Sequence, residues 1–187
     1  MNSKDNFLVK ETLKGDKDAF RKLVDRYKIP VYNLSYRMIG NYTEAEDVAQ
    51  ETFLRAYKNL NRFQIEFKFS TWLFQICINI CKNVNKRKYS HKIVYPFSEN
   101  YSSDQTLWQK TKDKTVPQVE DLLEKKEEKQ LLQKVVRELP HRYATVIVLK
   151  YWERLSYREI SQIINVSVFT TKTYLYRARE MLRDKLK

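Results

Sequence analysis

Apolar residues recur at helical spacing along most of the chain. From Asp16 onward, Phe20, Leu23, Val24, Tyr27, Val31 and Leu34 share one face of a helix. Pro30 lies inside that pattern and predicts a kink, because the pattern continues past it. Gly40-Asn41 predicts the stop. Thr43-Glu44-Ala45-Glu46 reads as a capping box, with Thr43 at the N-cap and Glu46 at N3. The helix it opens is expected to bury Ala45, Ala49, Phe53, Ala56 and Leu60. A polar and aromatic loop, NRFQIEFKF, follows. A third helix beginning near Ser70 buries Leu73, Ile76, Cys77, Ile80 and Val84, and ends in KRKYSHK.

The pattern then breaks. Residues 90–118 carry Ser, Asn, Lys and Pro with no sustained period, which predicts a flexible linker. Periodicity resumes near Val119. VEDLLEKKEEKQLLQKVVREL reads as a charged amphipathic helix closed by Pro140, and RYATVIVLKYW as a more apolar one. Ser156 caps the next helix with Glu159 at N3, while Leu155 is placed to staple onto Ile160. That helix runs to about Ile164. Asn165-Val166-Ser167 makes a turn, and Ser167 caps a last helix ending near Lys185. The expected fold is all-α: two small helical domains, residues 1–89 and 119–187, joined by the linker.

Composition narrows the function. Two glycines and four prolines argue against barrels and sandwiches. Gly15 and Gly40 stand alone, so no phosphate-cradling glycine loop exists and no nucleotide cofactor is expected. The formal charge of +13 points to a polyanionic partner. No apolar run approaches the ~20 residues of a membrane span, so no membrane insertion is expected. The first residues have no apolar signal core, which predicts a cytoplasmic protein. Cys77 and Cys81 lack a second pair at zinc spacing, and His91 and His141 are isolated, so no metal site is predicted. The two cysteines read as small core residues kept reduced.

Three stretches carry candidate chemistry. Two helices joined by a three-residue turn, the second basic, describe a helix-turn-helix. Ile160, Ile163, Val166, Leu175, Ala178 and Leu182 pack its inner faces. Ser167, Thr170, Lys172, Thr173, Tyr174, Tyr176 and Arg177 are left on outer or flanking faces, where hydroxyls and cations suit base edges and phosphates. Lys82 to Lys92 holds five cations and no acid, beside Phe63, Phe67, Phe69, Trp72 and Phe74. Aromatics next to cations suit unstacked bases. Gln75, Asn79, Lys82 and Lys86 share a helix face there. The third stretch, TEAEDVAQETF, has four acids and no base in a strongly basic chain. Helix-dipole chemistry accounts for Glu44, Glu46 and Asp47 in the first turns. It does not account for Glu51, nor for Asp47, Gln50, Glu51 and Leu54 falling on one face, a surface suited to a basic protein rather than to DNA.

Together the two halves resemble the bacterial RNA polymerase sigma factors of the sigma-70 family, in the extracytoplasmic-function (ECF, group 4) subfamily. AEDVAQETFLRAY and FKFSTWLFQICIN stand in the place of the region 2 motifs. LPHRYATVIVLKYWERLSYREISQIINVSVFTTKTYLYRARE follows region 4 over its whole length. The resemblance implies a subunit that directs promoter-specific initiation and supplies no catalytic residue. Asp47, Gln50, Glu51 and Leu54 would grip the clamp of core RNA polymerase. Asn61, Phe63, Phe67, Lys68, Phe69, Trp72, Gln75, Asn79, Lys82, Asn83, Lys86 and Arg87 would open and read the −10 element, the loop near Asn61 to Lys68 capturing a flipped base. Ser167, Thr170, Lys172, Thr173, Tyr174, Tyr176 and Arg177 would read −35 DNA while region 4 holds the polymerase flap. An anti-sigma factor is a further implied partner.

Several positions depart from the family pattern. Phe169 stands where a small residue or Pro is usual, Thr171 where an apolar core residue is usual, Tyr174 where Arg is common, and Asn83 where Asp is usual. Gln75-Ile76 replace the housekeeping family's adjacent tryptophans, which predicts weaker melting and a stricter demand for a good −10 element. Two other classes compete. A stand-alone helix-turn-helix regulator accounts for neither the acidic face nor the aromatic loop. A nucleic-acid enzyme would need clustered carboxylates or a metal set, and the sequence has neither.

Overall fold

The structure is a computed structural model, and it describes residues 2–90 and 130–186. Among these residues every regular element is helical. The order is α1 (Asn2–Leu13), α2 (Lys17–Ile39), α3 (Tyr42–Lys58), a 3₁₀ turn (Leu60–Arg62), α4 (Phe69–Ser90), α5 (residues 130–137), α6 (His141–Ile147), a π turn (Val148–Trp152), α7 (Tyr157–Ile164) and α8 (Val168–Lys185). The expected linker, apart from Ser90, and the first part of the charged helix from Val119 lie outside the described residues.

Helix α1 was not expected, because its apolar residues do not form a clean stripe. Leu8, Val9 and Thr12 are buried, whereas Phe7 and Leu13 are exposed. What docks it is polar: buried Asp5 pairs with Arg26 and accepts a 2.7 Å bond from the Tyr27 hydroxyl. Burial, reinforced by that carboxylate, pushes the Tyr27 pKa up. Helix α2 starts where predicted, with Asp16 accepting from the backbone N–H groups of Asp18 and Ala19, and runs through Pro30. It stops at Gly40 in the left-handed region, φ 79°. A Cβ there would lie 2.7 Å from the Arg137 Nε, the flexible end of a side chain that can move aside, so the positive φ is what calls for glycine.

The start of α3 corrects the sequence reading. Asn41, not Thr43, is the N-cap, and its side-chain oxygen accepts from the Glu44 N–H at 3.0 Å. Asn is at least as good a cap as Thr, so the earlier residue takes the role and Thr43 lies inside the first turn. Ala45, Ala49, Ala56 and Leu60 are buried as expected, Phe53 only partly, and Val48 and Thr52 join them. The Thr52 hydroxyl is satisfied by the Val48 carbonyl, which makes it acceptable in a core.

The second half follows its cap signals closely. Ser156 and Glu159 form the capping box. Asn165 ends α7 in the left-handed region, φ 54°, and Ser167 caps α8. Buried Thr171, where the resemblance leads one to expect an apolar residue, leaves no orphan hydroxyl, because it donates to the Ser167 carbonyl at 3.0 Å. Ile160, Ile163, Leu175 and Ala178 fill the core, with Leu182 packed at its edge. Leu8 of α1 and Ala178 of α8 belong to one continuous apolar cluster, so the two helical groups share a core. Cys77 and Cys81 are buried free thiols, Cys77 lying 3.3 Å from the Ser35 hydroxyl.

Candidate nucleic-acid and polymerase interface

The aromatic loop is shaped by its own core. Phe63, Phe69 and Trp72 contact one another with ring centroids 5.3–5.8 Å apart, and Tyr27 closes on Phe69 at 5.6 Å. Phe69 is 1% exposed and Phe63 8%. Both were expected to touch DNA. The structure corrects this for Phe69, which is enclosed in the core and holds the loop; Phe63 is mostly buried but still lines the cleft described below. Phe74 is buried as well, while Phe67 is 41% exposed and Trp72 is partly exposed. Aromatic identity could not separate these cases, because a core ring and a stacking platform use the same side chains. Asn6 of α1 donates to the Ile65 carbonyl at 3.2 Å and ties the loop to the N-terminus.

Along α4 the expected polar face exists. Asn79, Lys82, Asn83, Lys86 and Arg87 are exposed, and Gln75 is partly covered. Asn61 and Lys68 are exposed on the loop. Together these groups make a cationic, amide-rich strip running away from Phe67 and Trp72.

The C-terminal half lies directly against the beginning of that strip. Lys68 donates to Glu159 of α7 at 2.5 Å, and Gln75 reaches the Gln162 carbonyl at 3.5 Å. Phe63, Phe67, Trp72, Gln75, Gln162 and Asn165 line a cleft of about 280 Å³. Burial opposes the charge on Glu159, but bonds from Lys68 and Ser156 outweigh it and hold its pKa at about 2. A second pair, Arg37 to Glu153 at 2.6 Å, is mostly buried. Burial raises the Glu153 carboxyl and lowers the Arg37 guanidinium, each partly countered by the other. Nearby, both ring nitrogens of His141 are buried without a partner. Burial, with Lys82 close by, drives its pKa down to about 4.

On α8, Lys172, Tyr176 and Arg177 are exposed, while Thr170 and Thr173 are half-buried. Ser167 is exposed but engaged, since its oxygen accepts from the Thr170 N–H at 3.0 Å. Tyr174 is wedged edge-on against Tyr143 of α6, 5.8 Å between centroids, so it is partly a packing residue. On α3, Asp47, Gln50 and Leu54 are exposed, Leu54 at 56%, with Glu51 beside them. Glu51 also accepts from Arg55 Nε at 2.7 Å. That i,i+4 pair supplies the local reason for Glu51 that the helix dipole could not.

Residues 23–90 match the family model for sigma-70 region 2, and residues 129–182 that for sigma-70 region 4. The chain is 42% identical over 182 residues to the ECF RNA polymerase sigma factor SigW of Bacillus subtilis (strain 168), covering 96% of this chain and 95% of that protein. It belongs to the ECF sigma factors. The ECF RNA polymerase sigma-E factor of Haemophilus influenzae is 33% identical over 186 residues, 97% of this chain and 95% of that one. The fold is also that of CnrH, solved in complex with the cytosolic domain of CnrY, with a TM-score of 0.66 and 22% identity over 98% of this chain and 97% of that one. As a sigma factor this chain is a transcription initiation protein that gives RNA polymerase its promoter specificity. Among the described residues no helix is long and apolar enough to cross a membrane, and no group of His, Cys, Asp and Glu is arranged to hold a metal ion.

Proposed function

We propose that residues 1–89 dock on the clamp of core RNA polymerase and open the −10 element, and that residues 119–187 read the −35 duplex and hold the flap. The observation that carries this reading is the opposite character of two neighbouring helices. Helix α3 offers an exposed face of Asp47, Gln50 and Leu54, suited to a basic protein surface. Helix α4 offers Asn79, Lys82, Asn83, Lys86 and Arg87, suited to a nucleic-acid strand. Phe67, Trp72, Gln75, Asn61 and Lys68 extend that strip toward a base-sized cleft. Lys172, Thr173, Tyr176 and Arg177 read base edges and phosphates, with Thr170 and Ser167 at the helix N-terminus and Tyr174 at its flank.

The polymerase performs the chemistry, so this chain supplies no catalytic residue. It acts in the cytoplasm and is held by an anti-sigma factor until induced. Run-off transcription with core polymerase on genomic DNA tests the proposal. Start sites preceded by shared −10 and −35 sequences are expected only when the protein is added. Absence of any transcript dependent on it would refute the function.

A further inference from the structure

We infer that Phe169 reads a thymine methyl in the −35 major groove, so that this chain's −35 specificity includes an apolar contact. The inference rests on the −35 reading of α8 proposed above. Phe169 is 80% exposed, more than any other large apolar side chain among the described residues. No packing within the chain explains it.

Its place on the helix is what directs it toward DNA. Buried Thr171, Leu175 and Ala178 fix the rotation of α8. At about 100° per residue, Phe169, Thr173 and Tyr176 all point within about 50° of the direction opposite the core. They therefore form one outer ridge, with Lys172 and Arg177 on its two sides. Thr173 donates to the Phe169 carbonyl at 3.2 Å, so two of these residues are also linked directly. Phe169 lies in the first turn of α8, and the N-terminal residues of a helix-turn-helix recognition helix are those that reach base edges. A phenyl ring there has no donor or acceptor to offer. The one apolar group on a major-groove edge is the thymine C5-methyl. The neighbouring Lys172 and Arg177 hold the duplex alongside, and the ring adds discrimination for the methyl.

The test uses holoenzyme reconstituted from the full chain and core polymerase, on a promoter mapped by the transcription experiment above. Uracil replaces each thymine of the −35 element in turn, on both strands. This removes the methyl and keeps the pairing. With the wild-type chain, one replacement is expected to weaken promoter binding about fourfold, the effect of one buried methyl group. With Phe169→Ala the same replacement should change nothing, and Phe169→Leu should restore part of the sensitivity. Both variants should unfold at the wild-type denaturant concentration, because the ring is exposed. The inference is overturned if wild type and Phe169→Ala respond alike to every uracil, or if no thymine matters. A wild-type holoenzyme indifferent to scrambling the whole −35 element would instead overturn the region 4 reading itself.

Discussion

Acid should destabilise this protein through His141, and the size of the effect follows from its surroundings. The imidazole is buried with both nitrogens unpartnered and with Lys82 nearby, and its pKa falls from 6.5 to about 4. Charging it in the folded state is therefore harder than charging it in the unfolded chain. The contribution is nil above pH 6.5, where both states are neutral. It grows as pH falls through 6.5 and saturates below about 4. The limit is about 3 kcal/mol, from 1.36 kcal/mol per pKa unit, and at pH 5 the loss is about 2 kcal/mol. Other groups titrate in the same range, so the measurement must be a difference. Urea unfolding of wild type and His141→Asn at pH 7.5 and pH 5 provides it. The stability gap between them should move by about 2 kcal/mol in favour of the variant on acidification. The chain has two histidines, so proton NMR offers a direct check once His91→Asn assigns the signals. A His141 resonance titrating near 6.5, or a stability gap independent of pH, would show that the imidazole is not buried without a partner.

Other expectations are more local. Asn41→Ala should lower stability by about 1 kcal/mol in urea unfolding while Thr43→Ala changes little; the reverse order would restore Thr43 as the cap. Reversing charge at Asp47 and Glu51 together should abolish binding to core polymerase with the helical circular dichroism spectrum unchanged, and wild-type affinity would rule out the α3 face as the docking surface. Glu153→Gln leaves Arg37 buried without its anion and should lower stability by about 3 kcal/mol, whereas Lys68→Gln at the more exposed pair should lower it by less than about 1 kcal/mol. Equal effects would contradict the burial difference between the two pairs.

The parts of the fold announced by local chemistry were legible in the sequence. Asp16, Gly40, Ser156, Glu159 and Ser167 each satisfy or terminate a helix within a few residues, so reading their neighbours was enough. Asn41 was missed because two adequate caps stand two residues apart, and only the backbone decides between them. Helix α1 was missed because its anchor, Asp5 with Arg26 and Tyr27, is made across 21 and 22 residues of sequence. At the candidate site the cations of α4 and α8 were legible, since charge without an apolar stripe implies exposure. The aromatic loop was not, because Phe69 at the start of a helix and Phe67 two residues earlier look alike until the Tyr27 ring closes on one of them. Contacts such as Lys68 with Glu159 join residues 91 positions apart and have no signature in either segment.

That last contact changes how DNA affinity will respond to salt. Lys68 and Gln75 are both held by α7, so on the −10 reading proposed above a nucleic-acid strand must displace a competitor tethered to the same chain. The strength of such a competitor depends on the connecting segment and not on how much protein is present. Salt weakens phosphate contacts by returning counterions to the DNA. It also screens the exposed Lys68–Glu159 pair, which frees a cation for the DNA. The two effects oppose each other. A salt titration of the isolated protein is therefore expected to be shallower than its phosphate contacts warrant, and Glu159→Gln, which removes the competing anion, should steepen it.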